Sequence, residues 1–112
     1  MVLNELSLSQ AALEIREGRV SAAELVGACL DRVASVEDQI LAWAFLDRDH
    51  ALRQAEALDA ARREGKPQGR LHGVPIAIKD VFDTADMPTE FGSPIYRGRA
   101  PRRDAAAVAR LR

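Results

Sequence analysis

Lys79 ends the apolar run Leu71-His-Gly-Val-Pro-Ile-Ala-Ile-Lys79, and its side-chain type is scarce. Of the chain's 16 basic residues only Lys66 and Lys79 are lysine, the rest being arginine. Lys66 lies in the loop-like Glu64-Gly65-Lys66-Pro67. A lysine at the tip of a buried strand is desolvated, which disfavours the ammonium and lowers its pKa. A neutral amine near pH 7 serves as a general base or as a Schiff-base nucleophile. The ordinary alternative is a stem laid on apolar surface with its head in water. Asp80 reads as a strand-end turn former rather than the lysine's partner, because adjacent strand residues point to opposite faces.

The remaining chemically capable residues are less well arranged. His50 and His72 have no ligand at zinc spacing, so no metal is expected. Asp83 and Asp86 read as turn acids. Ser93, in Phe91-Gly92-Ser93-Pro94, lacks the second glycine of a nucleophile elbow. A Ser93–Lys79 dyad would rest only on both types being present. Cys29 sits in an apolar helical stripe with no His or Lys near it in sequence, and reads as a core thiol. There is no P-loop or dinucleotide fingerprint, and no organic cofactor is expected.

Several elements must position these residues. Ser7 caps a helix reaching about Glu17, with Leu8, Ala11, Ala12 and Ile15 on one face and Gly18 as its stop. Ser21 and Glu24 form a capping box for a second helix to about Val36, striped by Leu25, Val26, Cys29, Val33 and Val36. Ile40–Leu46 fits a strand or a helix tail, and the strand is favoured because Asp47 then caps a third helix over 48–64. That helix faces Ala51, Leu52, Ala55 and Leu58 inward and stops at Gly65. Residues 71–79 read as a buried strand starting near Pro75. Residues 80–101, rich in Gly, Pro, Asp and Thr, should be an ordered excursion. Asp104 is expected to cap a last helix over 105–112 that has no terminator, as in a truncated chain.

A chain of 112 residues, 47% hydrophobic and 29% charged, suffices for about one small domain and is too apolar for a disordered tail. It has no membrane-length apolar run, and residues 1–6 lack the basic and apolar regions of a secretory signal. One cysteine excludes an intrachain disulfide, and a cytoplasmic location is expected. The first 60 residues carry net charge −6 and the remainder +5. The arginines at 97, 99, 102, 103, 110 and 112 have no interleaved aromatics, so they read as a solvated face rather than a nucleic-acid surface.

Gly69-Arg-Leu-His-Gly-Val-Pro-Ile-Ala-Ile-Lys-Asp80, with Asp83-Thr84, Met87-Pro-Thr89, Gly92-Ser-Pro94 and Asp104-Ala-Ala-Ala-Val, resembles the N-terminal part of an amidase signature enzyme. The resemblance covers essentially the whole chain. It implies an α/β fold, a mixed central sheet flanked by helices, of which only the N-terminal part is present. Residues 1–66 would be an N-terminal helical region and 67–112 the start of the core. It further implies amide hydrolysis by a Ser–cis-Ser–Lys triad, with the catalytic lysine falling on Lys79. Both serines of that triad lie downstream in a Gly/Ser-rich stretch, and none of Ser7, Ser9, Ser21, Ser35 or Ser93 has such a context. The isolated chain should therefore be inactive.

The implied partner is a small-molecule amide, without nucleic acid or membrane, and the complete enzyme could be a homodimer. Met87–Tyr96 is closer to general amidases than to the family's glutamine-dependent amidotransferases, which act on misacylated tRNA. An amidotransferase of that kind remains an alternative, as do a non-catalytic truncated helical or interaction module and a Schiff-base lysine.

Overall fold

The computed structural model describes residues 1–112 and contains helices, turns and irregular segments, but no β-strand. Four α-helices follow one another: α1 Leu8–Arg16, α2 Ala22–Ile40, α3 Arg48–Arg63 and α4 Ala106–Leu111. Single 3-10 turns lie at Leu3–Glu5 and Pro94–Tyr96. The chain gathers into two compact units, one of residues 1–41 and 47–75, the other of residues 42–46 and 76–112.

In the first unit the helix boundaries follow from local chemistry. Ser7 and Gln10 form a reciprocal capping box at α1, and Gly18 ends it with φ of 72°. At α2 every early N–H is answered. The Ser21 N–H donates to Glu24 Oε2 at 2.8 Å and the Glu24 N–H to Ser21 Oγ at 3.0 Å. The Ala22 and Ala23 N–H groups donate to the two Asp59 carboxylate oxygens at 2.7 and 3.0 Å. Asp59, buried on α3, thus supplies from another helix what no local side chain reaches, and its charge complements the α2 dipole. Asp47 caps α3 as expected, its Oδ1 accepting the His50 N–H at 2.9 Å.

The core is formed by Ala11, Ile15, Val20, Ala22, Leu25, Val26, Leu30 and Ala55. Leu30 belongs to it although the expected stripe omitted it, while Cys29, Val33 and Val36 are only half-buried, Cys29 packing against the core. Leu58, expected inward, is 37% exposed, and the inward position one residue later is taken by Asp59. Residues 71–73 form a turn in which the Val74 N–H donates to the Leu71 carbonyl at 3.0 Å. Gly73 is buried in it with φ of 80°.

Three expectations are corrected. Residues 71–79 are not a strand: they comprise a turn and a stretch without regular structure that joins no ladder. Residues 40–46 are not a strand either, since α2 runs on to Ile40, Leu41 caps it in the left-handed region, and 42–46 follow without regular structure. A strand needs a second extended backbone exchanging N–H···O=C bonds with it, and neither segment has one here, so the expected mixed sheet is absent from these 112 residues. Asp104 does not cap α4, whose N-cap is Ala105 without a side-chain bond. The Asp104 carboxylate instead binds the Ala85 N–H at 2.8 Å and the Arg112 Nε at 2.7 Å.

The excursion after Lys79, in the second unit, is ordered by carboxylates. Asp83 receives both terminal nitrogens of Arg99 at 2.7 and 3.1 Å, and its carbonyl accepts the Ala105 N–H at 2.8 Å. The Arg99 guanidinium stands 5.0 Å from the Phe91 ring centroid. Buried Thr84 and Thr89 donate their hydroxyls to the Met87 and Phe82 carbonyls, both at 3.2 Å.

Candidate functional site

The irregular stretch 74–79 ends where the Lys79 carbonyl accepts the Val81 and Phe82 N–H groups at 2.7 and 3.1 Å. Two hydrogen bonds to one carbonyl fold the chain into a turn there, so Lys79 is the last residue before that turn. Around it, within the second unit, lies an open cleft of about 550 Å³. Ala42, Trp43, Ala44 and Phe45 line it along with Ala77, Ile78, Lys79, Asp80, Phe82, Thr84, Met87 and Pro88. Its walls are largely apolar, and Lys79 is the only cation among them.

Lys79 is exposed, so the expected dry environment is absent from this chain. The reason is geometric: with no strand on either side, nothing in the 112 residues covers the end of the stretch. The side chain of Asp80 is turned to other partners, accepting the Glu90 N–H at 2.8 Å and the Gly92 N–H at 3.3 Å. Asp80 is thus not the lysine's partner, and its carboxylate serves amides ten and twelve residues away rather than a strand end.

Four of the five serines serve the local backbone. Ser7 and Ser21 are helix caps, and the Ser35 hydroxyl donates to the Arg32 carbonyl at 2.7 Å. Ser93 accepts the Ile95 N–H at 3.3 Å and starts the 3-10 turn at Pro94. The His72 Nε2 donates to the Leu58 carbonyl at 2.9 Å, a bond that fastens the 71–73 turn to α3. No group of three or more His, Cys, Asp or Glu side chains is gathered to hold a metal ion. Cys29 is half-buried, and desolvation pushes its thiol pKa up, as for an inert core cysteine.

Some features around the cleft were not read from the sequence. The Trp43–Phe45 wall is an irregular cleft margin rather than the strand that an Asp47 cap favours. The Asp80 contacts with Glu90 and Gly92 span ten and twelve residues, beyond the reach of spacing arguments.

Residues 24–112 match the Amidase family model. The chain is 44% identical over 110 residues to a glutamyl-tRNA(Gln) amidotransferase chain of Salinispora arenicola, covering 98% of this chain and 22% of that protein. It is 43% identical over 109 residues to an amidase of Pseudomonas putida, covering 97% of this chain and 23% of that one. Among solved structures, the native peptide amidase of Stenotrophomonas maltophilia superposes with a TM-score of 0.87 at 33% identity, over 96% of this chain and 22% of that one. The chain thus spans about a fifth of the length of these relatives, and they include both amidases and amidotransferases. With the match running from Glu24 through the Lys79 stretch to Arg112, this chain belongs to the amidase family.

Proposed function

We propose that this chain forms the leading part of a carboxamide hydrolase in which Lys79 is the base. In this reading Lys79 accepts a proton through a bridging cis-serine and thereby activates a nucleophilic serine, both serines lying outside these 112 residues. The activated oxygen attacks the amide carbon, the amine departs with a proton, and water hydrolyses the resulting ester. Backbone N–H groups of a glycine-rich loop hold the oxyanion. Residues 67–112 would be the start of the catalytic core, its irregular stretch, like residues 42–46, becoming a strand once a neighbour pairs with it.

The observation that carries this reading is the position of Lys79, the one cation lining an apolar cleft, at the end of the Gly73–Asp80 stretch. Covering strands would desolvate its amine and favour the neutral base. The local backbone duties of Ser7, Ser21, Ser35 and Ser93 support a nucleophile from elsewhere. The substrate is a small-molecule amide, and the setting is cytoplasmic. No helix of the chain is long and apolar enough to cross a membrane.

A test is to graft this chain into the Pseudomonas putida amidase in place of the matching segment and measure hydrolysis. Lys79→Ala is expected to lower kcat about 10²–10⁴-fold, the usual range for loss of a positioned base. Near-normal turnover would end the assignment. The 112-residue chain alone should hydrolyse nothing, and Lys79-dependent hydrolysis by it would equally refute the reading. The identity to an amidotransferase favours a second reading, in which the same lysine serves amide transfer to misacylated tRNA. Activity confined to glutamine would select it over a general amidase.

A further inference from the structure

Asp80 sits beside the lysine, yet its carboxylate is committed to the far side of the loop. Its two oxygens accept the Glu90 N–H at 2.8 Å and the Gly92 N–H at 3.3 Å, the amides on either side of Phe91. Phe91 has φ of 55° and Gly92 φ of 66°, two consecutive left-handed residues, and the Ser93 N–H closes the turn on the Glu90 carbonyl at 3.0 Å. Glycine adopts that conformation freely, whereas for phenylalanine it is strained and persists only where the surroundings over-determine it. Here the Asp80 carboxylate holds both flanking amides. The Phe91 ring is fixed edge-on to Tyr96, with centroids 5.0 Å apart at 75°, and carries the Arg99 guanidinium on its face. Arg99 in turn grips Asp83 through both carboxylate oxygens.

Two carboxylates three residues apart therefore tie the turn that follows Lys79 to the 89–99 loop. The Lys79 carbonyl is held by two N–H groups, while its side chain is exposed. The backbone alone decides where that side chain starts, and Asp80 anchors the backbone.

We infer that Asp80 is a positioning residue: by binding the amides that flank strained Phe91, it fixes the turn from which Lys79 reaches into the cleft. The inference rests on the reading of Lys79 as the base, and Asp80 itself touches no reacting atom in it. A misplacement of the lysine by about 1 Å would cost about 10²-fold in rate.

The test uses the grafted amidase with Asp80→Ala, Asp80→Asn and Asp80→Glu beside Lys79→Ala. Asp80→Ala is expected to lower kcat about 10²-fold with KM within about twofold, as when orientation is lost and binding kept. Asp80→Asn keeps an acceptor oxygen for the Glu90 N–H and should recover most of that loss. Asp80→Glu keeps the charge but moves it by a methylene and should not. The reverse order, with Glu active and Asn as poor as Ala, would show a charge effect and overturn the inference. So would three variants all within about threefold of the parent while Lys79→Ala is dead. A Lys79→Ala variant that turns over normally overturns the functional reading instead. In the 112-residue chain itself, hydrogen exchange at the Glu90 and Gly92 amides should accelerate at least about tenfold in Asp80→Ala, as expected on loss of their acceptor. Unchanged exchange there removes the anchor, and with it the proposal, even where the graft yields no soluble enzyme.

Discussion

Gly73 packs its bare α-carbon against the junction of α1 and α2. A Cβ built on it would stand 2.8 Å from the Ala22 Cβ and 3.2 Å from the Ile15 Cδ1, and its φ of 80° is left-handed. Both neighbours are buried core residues with no room to retreat, so steric overlap adds to backbone strain. Gly73→Ala should destabilise the chain by about 1–3 kcal/mol, the usual cost of overpacking, read as a lower urea midpoint. Gly65 supplies the control, since it has φ of 72° but nothing within 4 Å of its would-be Cβ. Gly65→Ala should lose only the conformational part, about 1 kcal/mol. Equal losses at the two sites would show that the Ala22 contact is unimportant. The same turn begins the stretch that leads to Lys79.

The loop of residues 80–105 is the element whose order depends most on charge. Asp83 titrates below the usual carboxylate range because the Arg99 guanidinium binds both its oxygens. Asp104 is lowered first by its bonds to Arg112 and then by the Ala85 N–H. A carboxyl lowered in the folded state contributes stability that is complete above its ordinary pKa, about 4, and lost as pH falls through the lower folded value. Thermal melts should therefore show the Tm falling as pH drops from about 5 to about 3. The double variant Asp83→Asn, Asp104→Asn should melt lower at neutral pH and show a shallower acid limb. The limb would not vanish, because Glu14 and Glu24 are also held low, by Arg19 and by Ser21 respectively. An unchanged acid limb in the double variant would mean that these two carboxylates do not couple to folding.

At the scale of the molecule, the distribution of apolar surface is the main feature. Trp43, Phe45, Ile76, Val81 and Phe82 are each between 37% and 46% exposed, and all belong to the unit of residues 42–46 and 76–112. That unit has one buried hydrophobic side chain, Val108, against the eight of the helical unit. Large apolar side chains left open beside backbone that joins no ladder favour association with another chain. Sedimentation velocity on the 112-residue chain should show a sedimentation coefficient that rises with concentration. A concentration-independent monomer with a single cooperative melt would contradict this.

Local signals read in order along the chain yield the caps and stops of the helical unit, and they single out Lys79, which the structure places on the wall of the cleft. Caps at Ser7, Ser21 and Asp47 and stops at Gly18 and Gly65 act within about one helical turn, so they are legible wherever the residues stand in order. Lys79 is legible for another reason: it is a rare residue type closing an apolar run within the segment that matches the Amidase family model. Features that depend on distant partners arise only when the chain folds. Whether residues 40–46 and 71–79 become strands is set by a neighbouring backbone, and no pattern within a segment supplies one. Asp59 capping α2 and Asp80 gripping the turn at Phe91 are bonds across 37 and 12 or fewer residues respectively, made where folding brings a carboxylate to unpaired N–H groups. Asp104 shows the same competition from the other side, since two partners, Ala85 and Arg112, displace the local helix end that its position predicted.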